Sequence, residues 1–122
     1  MRETPRGKVL VVEDEDFYAD AYRARLAADG YDIERAVDAE GARKALDRFS
    51  PDVVLLDLTL QQQDIEEGFA VLEEIRQRRS DARVIVVTAS GRTTVAERAL
   101  RLGAADFVGK EERGYAELQF RV

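Results

Sequence analysis

The sequence predicts an α/β fold in which helices cover both faces of a parallel sheet. Short runs of consecutive apolar residues alternate five times along the chain with amphipathic segments of helical period, which is the pattern of repeated strand–helix units. The strand runs are apolar throughout, as expected for strands that are buried on both faces. At 122 residues the chain has the length of one domain, and we expect no internal domain boundary.

The first two strand–helix units are predicted in the N-terminal part of the chain. The first strand is Lys8-Val-Leu-Val-Val12, and a helix follows from Phe17, with acidic residues in its first turn, arginines near its end and a stop at Gly30. This distribution of charge complements the helix dipole. Asp32 to Ala36 is the second strand, and a stripe of apolar residues at helical spacing then predicts a helix that ends at Ser50-Pro51.

The third and fourth units follow in the same way. Val53 to Leu56 is an apolar strand, and the polar stretch from Gln61 to Glu67 is predicted to be a long loop before a helix that begins at about Gly68. Arg83 to Thr88 is the fourth strand. The sequence Thr94-x-x-Glu97 is a capping-box pattern, so we expect Thr94 to cap a fourth helix.

The C-terminal part holds one more strand and a short helix. Phe107-Val-Gly109 is the briefest strand, and Lys110 follows it. Residues 115–122 leave room for only a short last helix, which we expect to be truncated in this sequence. Residues 1–7 are polar and are expected to form a flexible tail.

The composition excludes several classes of function. The chain has no cysteine and no histidine, which removes disulfides, thiolate metal sites, the commonest metal ligand and a phosphohistidine relay within this chain. Its net charge of −6 opposes binding to a nucleic-acid backbone. No apolar run is long enough for a signal peptide or a membrane span. We therefore expect a soluble cytoplasmic protein that binds neither nucleic acid nor membrane directly.

Acidic residues follow the first and third predicted strands. Glu13 and Asp14 come directly after the first strand, and Asp57 comes directly after the third. Ligands of open α/β sheets bind at the carboxyl ends of the strands. If these two ends are neighbours, the carboxylates repel each other by roughly 4 kcal/mol per pair at about 4 Å and an effective dielectric near 20. A hard divalent cation such as Mg²⁺ offsets that repulsion, whereas solvated loop acids are the simpler alternative.

Two further strands end in groups that suit phosphate. Thr88 places a hydroxyl at the end of the fourth strand, and Lys110 places an ammonium after the fifth. A hydroxyl donor and a positive charge are typical partners of phosphoryl oxygens. Each is unspecific alone, because a threonine often begins a helix and a lysine is often a surface residue. Their agreement with the acidic strand ends favours a phosphoryl site.

The chain resembles the response regulator receiver domain, the phospho-acceptor of two-component signalling. The resemblance covers residues 8 to about 120 and rests on Glu13-Asp14, Asp57, Thr88 and Lys110, with Gly-Ala-Ala-Asp-Phe107 before the lysine also typical of the family. It implies one receiver domain over residues 1–122. The implied fold is a flavodoxin-like (βα)5 three-layer sandwich with a parallel five-stranded sheet of order 2-1-3-4-5. In that order the first and third strands are neighbours.

The resemblance also implies a mechanism. Asp57 would take a phosphoryl group from the phosphohistidine of a sensor histidine kinase or a phosphotransfer protein, as in a phosphorelay. Such a domain catalyses its own modification and slow autodephosphorylation and is not a turnover enzyme. Mg²⁺ would be held by Asp14, Asp57, the backbone carbonyl of Thr59 and, through water, Glu13, while Thr88 and Lys110 would bind the phosphoryl oxygens.

The resemblance further implies a switch that involves Thr88 and Phe107. Movement of Thr88 toward the phosphoryl group would make room for Phe107 to rotate, which would alter the face formed by the fourth helix, the fifth strand and the fifth helix. A downstream effector domain or protein would read this face, and a phosphorylation-dependent dimer is compatible with the same change. The simpler interpretation of Phe107 is a permanently buried core aromatic.

Two departures from the family pattern are visible. The loop after Asp57 is about three residues longer than usual, which costs little, so Gln61 to Glu67 is either a tolerated insertion or a segment that tunes kinase choice or phosphoryl lifetime. Glu111 stands where the family has a proline after the lysine, and we expect a trans Lys110–Glu111 bond.

Three other functions remain as alternatives. A degenerate receiver would bind partners without phosphorylation. A haloacid dehalogenase-type phosphatase also forms an aspartyl phosphate, but Thr59 stands where its second acid is needed. A flavodoxin requires a glycine- and hydroxyl-rich phosphate loop after the first strand, and here that loop is acidic.

Overall fold

The structure, a computed structural model, describes residues 6–60, 64–89 and 93–110. Strands and helices alternate along these residues, as the sequence predicts. The elements are β1 (Lys8–Val12), α1 (Asp16–Ala28), β2 (Asp32–Ala36), α2 (Ala39–Phe49), β3 (Val53–Leu56), α3 (Ile65–Arg78), β4 (Arg83–Thr88), α4 (Thr93–Arg101) and β5 (Asp106–Gly109). None of the helices in this part of the chain combines the length and the apolar character that a membrane span needs.

All strand pairs are parallel, and the strand order is β2-β1-β3-β4-β5. This order confirms the predicted flavodoxin-like fold. Val12, the last residue of β1, is paired with Ala36 of β2 and with Leu56 of β3. The carboxyl ends of these three strands are therefore level with one another, and the residues that follow them meet at one edge of the sheet.

The sheet lies between two apolar layers, which explains why its strands are apolar throughout. Successive strand residues point to opposite faces. In β1, Leu10 and Val12 belong to the core cluster that includes the buried residues of α2, α3 and α4, whereas Val9 and Val11 belong to the cluster that includes Tyr22 of α1. Both faces of the central strands are thus removed from water.

Two predicted helix starts are wrong. The third helix begins at Ile65 and not at Gly68, because the side chain of Asp64 accepts a hydrogen bond from the Glu66 N–H at 3.2 Å and caps the helix. Of the predicted loop from Gln61 to Glu67, the residues from Ile65 onward are therefore helical, and residues 61–63 lie outside the described residues. The fourth helix already includes Thr93, so Thr94 lies in its first turn and is not the cap.

Both predicted terminal segments fall largely outside the described residues. The last helix, at 115–122, does so entirely. Of the predicted N-terminal tail, the described part is Arg6 and Gly7. The Arg6 N–H donates to the carbonyl of Gly30 at 3.0 Å, and the Gly7 carbonyl accepts from the Asp32 N–H at 2.9 Å.

Gly68 lets α3 approach the backbone that follows β3. A Cβ atom at Gly68 would lie 2.0 Å from the carbonyl oxygen of Leu58 and 2.6 Å from its carbonyl carbon. Leu58 directly follows Asp57, so this contact between helix and backbone fixes the path of the chain beside the carboxylate. The glycine is required for space and not for an unusual backbone angle.

We expect Gly68→Ala to lower the free energy of unfolding by about 3 kcal/mol or more, because the obstructing atoms belong to buried backbone and cannot rotate away. Urea unfolding followed by circular dichroism measures the change. Gly41→Ala is the matched control, since a Cβ there would meet a side-chain oxygen of Asp38 at 3.1 Å, which can move by a few tenths of an ångström. Equal losses in the two variants would contradict the proposed role of Gly68.

Candidate functional site

Asp57 lies at the junction of β3 and β1. Its N–H donates to the carbonyl of Val12 at 3.1 Å, which extends the pairing of the two strands by one step, and the residue is 3% exposed. Thr59, in the turn that follows, forms hydrogen bonds to the carboxylate of Asp57. Its Oδ1 accepts from the Thr59 N–H at 3.0 Å and from the Thr59 hydroxyl at 3.1 Å. The carboxylate is therefore held in one orientation by Thr59.

Glu13 and Asp14 lie beside Asp57, as the sequence predicts. The Glu13 N–H donates to the carbonyl of Ala36 at 3.0 Å, and the Glu13 side chain is buried, whereas Asp14 is half-buried. Each of the three acids has a carboxylate oxygen within 4.8 Å of the corresponding oxygens of the other two. Three carboxylates thus converge within the distance that one shared ion would span.

Lys110 supplies the positive charge of this cluster. Its Nζ lies 2.6 Å from Glu13 Oε1, 3.0 Å from Asp57 Oδ2 and 3.7 Å from Glu15 Oε2. The side chain is 6% exposed, and its Nζ also lies 4.3 Å from the ring centre of Tyr18, a cation–π contact. The backbone N–H of Lys110 donates to the carbonyl of Thr88 at 2.9 Å. Lys110 therefore reaches Asp57 in this sequence, although its bond to Glu111 lies outside the described residues.

Burial and the contacts within this cluster shift the pKa of Glu13 and that of Lys110 itself. Burial raises the pKa of Glu13 to about 7; the contact with Lys110 opposes this rise, and the charge of Asp57 adds to it. Burial alone would lower the pKa of Lys110, but its contacts with Glu13 and Asp57 outweigh burial and raise that pKa above its ordinary value. One buried ammonium group thus contacts two buried carboxyl groups. The site therefore keeps an excess of negative charge.

An open cavity of about 410 Å³ adjoins the carboxylates. It is lined by Asp14, Glu15, Tyr18, Asp57, Thr59, Ala89 and Lys110. Tyr18, Glu15 and Ala89 were not predicted as site residues from the sequence. Tyr18 could have been found, because it lies in the first turn of the helix that directly follows the acidic loop.

Thr88 and Phe107 are not among the residues that line this cavity. Thr88 is fully buried at the end of β4, and its backbone carbonyl binds Lys110. Phe107 is partly buried and packs against the larger core cluster. Both positions are compatible with the predicted switch, and each side chain's role in switching stays a prediction.

The donor set fits a hard divalent cation. Glu13, Asp14 and Asp57 present carboxylate oxygens, which are the protein ligands that Mg²⁺ prefers. Thr59 lies in the same cavity wall. The excess negative charge that Lys110 leaves uncompensated favours a cation further.

Comparisons with known proteins agree with this geometry. The family model described as response regulator receiver domain matches residues 9–119. The chain is 30% identical over 106 residues to the chemotaxis protein CheY of Bacillus subtilis, and the match covers 84% of each protein. It is 32% identical over 103 residues to the alkaline phosphatase synthesis transcriptional regulatory protein PhoP of the same species, covering 84% of this chain and 42% of PhoP. The chain spans about half or less of the length of most such curated relatives.

Solved structures show the same similarity. A response regulator from Thermotoga maritima superposes with a TM-score of 0.84 at 25% identity, covering 98% of this chain and 95% of that one. NtrX from Brucella abortus superposes with a TM-score of 0.81 at 30% identity, covering 94% of this chain and 26% of NtrX.

Glu13 should make the metal-free protein less stable as the pH rises. Its pKa of about 7 in the folded chain lies above the ordinary value of 4.5. Between these values the folded chain keeps a proton that the unfolded chain has released. The stability linked to this proton is therefore complete below about pH 4.5 and is lost as the pH rises to about 7, by at most about 3 kcal/mol.

We expect Glu13→Gln to flatten this dependence, because glutamine does not titrate. Free energies of unfolding from urea titrations at pH 5, 6 and 7, in buffer with a chelator, measure the slope. Glu97→Gln, which changes an exposed glutamate of α4, is the control and should keep the wild-type slope. Identical slopes for all three proteins would contradict the raised pKa of Glu13.

Proposed function

The chain belongs to the response regulator receiver family, and from this premise we propose that it accepts a phosphoryl group on Asp57 from the phosphohistidine of a sensor kinase or phosphotransfer protein. One observation carries the proposal. The buried carboxylate of Asp57 lies 3.0 Å from the Lys110 ammonium and within reach of the two acids Glu13 and Asp14. A nucleophile, a cation for the phosphoryl oxygens and a set of metal ligands thus surround one open cavity.

The chemical step requires little beyond orientation. A carboxylate oxygen of Asp57 attacks phosphorus, so that an oxygen–phosphorus bond forms while the phosphorus–nitrogen bond of the donor breaks. The imidazole nitrogen keeps the electron pair of the broken bond. Thr59 orients the carboxylate through its two hydrogen bonds to Oδ1. Lys110, already beside Oδ2, binds a phosphoryl oxygen once the negative charge there increases.

Asp14, Asp57 and the backbone carbonyl of Thr59 would hold Mg²⁺, with Glu13 acting through water. When bound, Mg²⁺ neutralises charge on the phosphoryl oxygens and brings donor and acceptor together. Lys110 contacts both Glu13 and Asp57 and neutralises part of their negative charge. The domain modifies itself in this reaction and is not a turnover enzyme.

Thr88 and Phe107 would convert the modification into a signal. The Thr88 hydroxyl would bind the phosphoryl group, and Phe107 would repack beside it, which shifts the population of two packings of α4 and β5. The shift is limited by the difference in contacts that the phosphoryl group makes in the two packings. An effector domain or partner protein would read the altered face, and the relative PhoP is described as a transcriptional regulatory protein.

The degenerate receiver is the competing function. Two departures from the family pattern support it, namely the longer Gln61 to Glu67 segment and Glu111 after Lys110. The second would weaken the reach of Lys110, but Lys110 lies 3.0 Å from Asp57, so phosphorylation is the function that the geometry favours.

We expect acetyl phosphate or phosphoramidate to add one phosphoryl group to the wild-type chain in the presence of Mg²⁺ and none in the presence of a chelator. Intact-mass spectrometry measures the gain. Asp57→Ala should abolish it, whereas Asp20→Asn, which changes an exposed acid of α1, should leave it intact. A wild-type chain that both donors leave unmodified would favour the degenerate receiver, and modification of Asp57→Ala would move the acceptor elsewhere.

Mg²⁺ alone should stabilise the folded chain. At ten times its dissociation constant, we expect a gain of about 1.4 kcal/mol in the free energy of unfolding, because only the folded chain assembles the site. Thermal unfolding at increasing Mg²⁺ concentrations measures the gain. Asp14→Asn should shift the dependence to higher concentrations, and Asp20→Asn should not. A melting temperature that Mg²⁺ leaves unchanged, at concentrations that support phosphorylation, would contradict the assignment of these acids as ligands.

A further inference from the structure

Arg35 reaches from the edge strand β2 into the loop that carries Asp14. It is paired with Val11 of β1 in the sheet, and its side chain is only 16% exposed. Its Nε donates to the backbone carbonyl of Glu13 at 3.0 Å, and its Nη1 donates to Asp16 Oδ1 at 2.7 Å. One rigid guanidinium therefore binds the chain on both sides of Asp14.

The loop before α1 has no capping hydrogen bond of its own, so the contacts with Arg35 are important for its position. Glu15 is the N-cap residue of that helix, but its side chain makes no capping hydrogen bond. The hydrogen bond of its N–H goes to Glu13 Oε2, at 3.2 Å, so the loop is partly held by a side chain of the site itself. Arg35 instead holds the loop from outside the site, from a strand whose position the sheet determines.

We propose that Arg35 is a positioning residue for the metal site, in that its forked contact with Glu13 and Asp16 places the Asp14 carboxylate for Mg²⁺. This inference rests on the proposed function, because Mg²⁺ is the ion that the site is proposed to take. Arg35 does not touch the reacting atoms and acts through the backbone of the loop. Its role depends on the planar fork, which joins two acceptors in a fixed geometry and which a lysine cannot reproduce.

The contact with Asp16 alone would not justify this role. Asp16 is 84% exposed, and exposed ion pairs contribute little. The bond to the Glu13 carbonyl is different, because Glu13 is buried and contributes a carboxylate to the same cluster. In addition, Nη2 of Arg35 is buried and makes no hydrogen bond among the described residues. The guanidinium is thus substantially desolvated, and the acidic loop beside it offsets that cost.

A positioning role and a purely electrostatic role predict opposite changes in Mg²⁺ affinity when Arg35 is replaced. If Arg35 acted only through its charge, its removal would tighten Mg²⁺ binding, because a cation near the site repels Mg²⁺, and Arg35→Lys would resemble the wild type. If Arg35 positions the loop, both Arg35→Gln and Arg35→Lys should weaken Mg²⁺ binding, by about tenfold, as is common for groups that orient metal ligands.

Isothermal titration of Mg²⁺ into the unphosphorylated chain measures these affinities. Arg48→Gln is the matched control, because Arg48 is 67% exposed and pairs with Glu34 of the same strand β2 without contacting the loop. We expect its Mg²⁺ affinity to equal that of the wild type. Tighter binding in Arg35→Gln, or an unchanged affinity in Arg35→Lys, would overturn the proposal.

Amide hydrogen exchange of the metal-free chain supplies a second readout that does not need Mg²⁺ binding. The amides of residues 14–16 should exchange faster in both Arg35 variants than in Arg48→Gln, while the amides of β1 keep their protection. If the wild type itself bound no Mg²⁺, the proposed function would fail, and exchange would still show whether Arg35 holds the loop. Unchanged exchange at residues 14–16 would overturn the positioning role.

Discussion

The ammonium of Lys110 is the contact on which the geometry of the site depends. It lies between two buried carboxyl groups, at 2.6 Å from Glu13 and 3.0 Å from Asp57, in a place where unpaired carboxylates would repel strongly. Because one positive charge cannot neutralise two buried acids and the half-buried Asp14 as well, the metal-free site keeps an unbalanced charge. That imbalance adds, through the charge of Asp57, to the rise in the pKa of Glu13 that burial causes, and it makes the cavity suitable for a divalent cation.

The backbone pairing of the sheet brings these charged residues together. Level strand ends place Glu13 and Asp57 side by side through backbone pairing alone, since the N–H of Asp57 binds the carbonyl of Val12 and that of Glu13 binds the carbonyl of Ala36. The core on both faces supplies the free energy that opposes the repulsion. Gly68 contributes as well, because its missing side chain lets α3 pack closely against the backbone of Leu58, the residue that follows Asp57.

The residues that could be predicted from the sequence are those whose positions depend on strand ends. Asp57 and Lys110 follow apolar runs directly, so the parallel sheet determines where they lie, and the family resemblance supplies the strand order. The start of α3 was misplaced because it depends on one hydrogen bond to Asp64, which no apolar period reveals. Arg35 was missed for a related reason. Its function depends on the rotamer with which an edge-strand side chain crosses to a neighbouring loop, and a lone arginine in a strand carries no such signal.

The packing of α4 is consistent with the direction in which a signal would leave the site. Among the described helices, α4 buries a single residue, Ala99, whereas α3 buries five. Its Arg98 forms a two-point ion pair with Glu66 at the start of α3 and lies 4.3 Å from the ring centre of Phe69. The ion pair lies at the surface and can be exchanged without opening the core, whereas the ring of Phe69 is itself buried. A helix with few buried residues can shift at a low cost in free energy. The helix α4 adjoins β5, the strand that carries Phe107 and leads into Lys110. Among the described helices, the one with the fewest buried residues is therefore the one beside the strand that leads into Lys110.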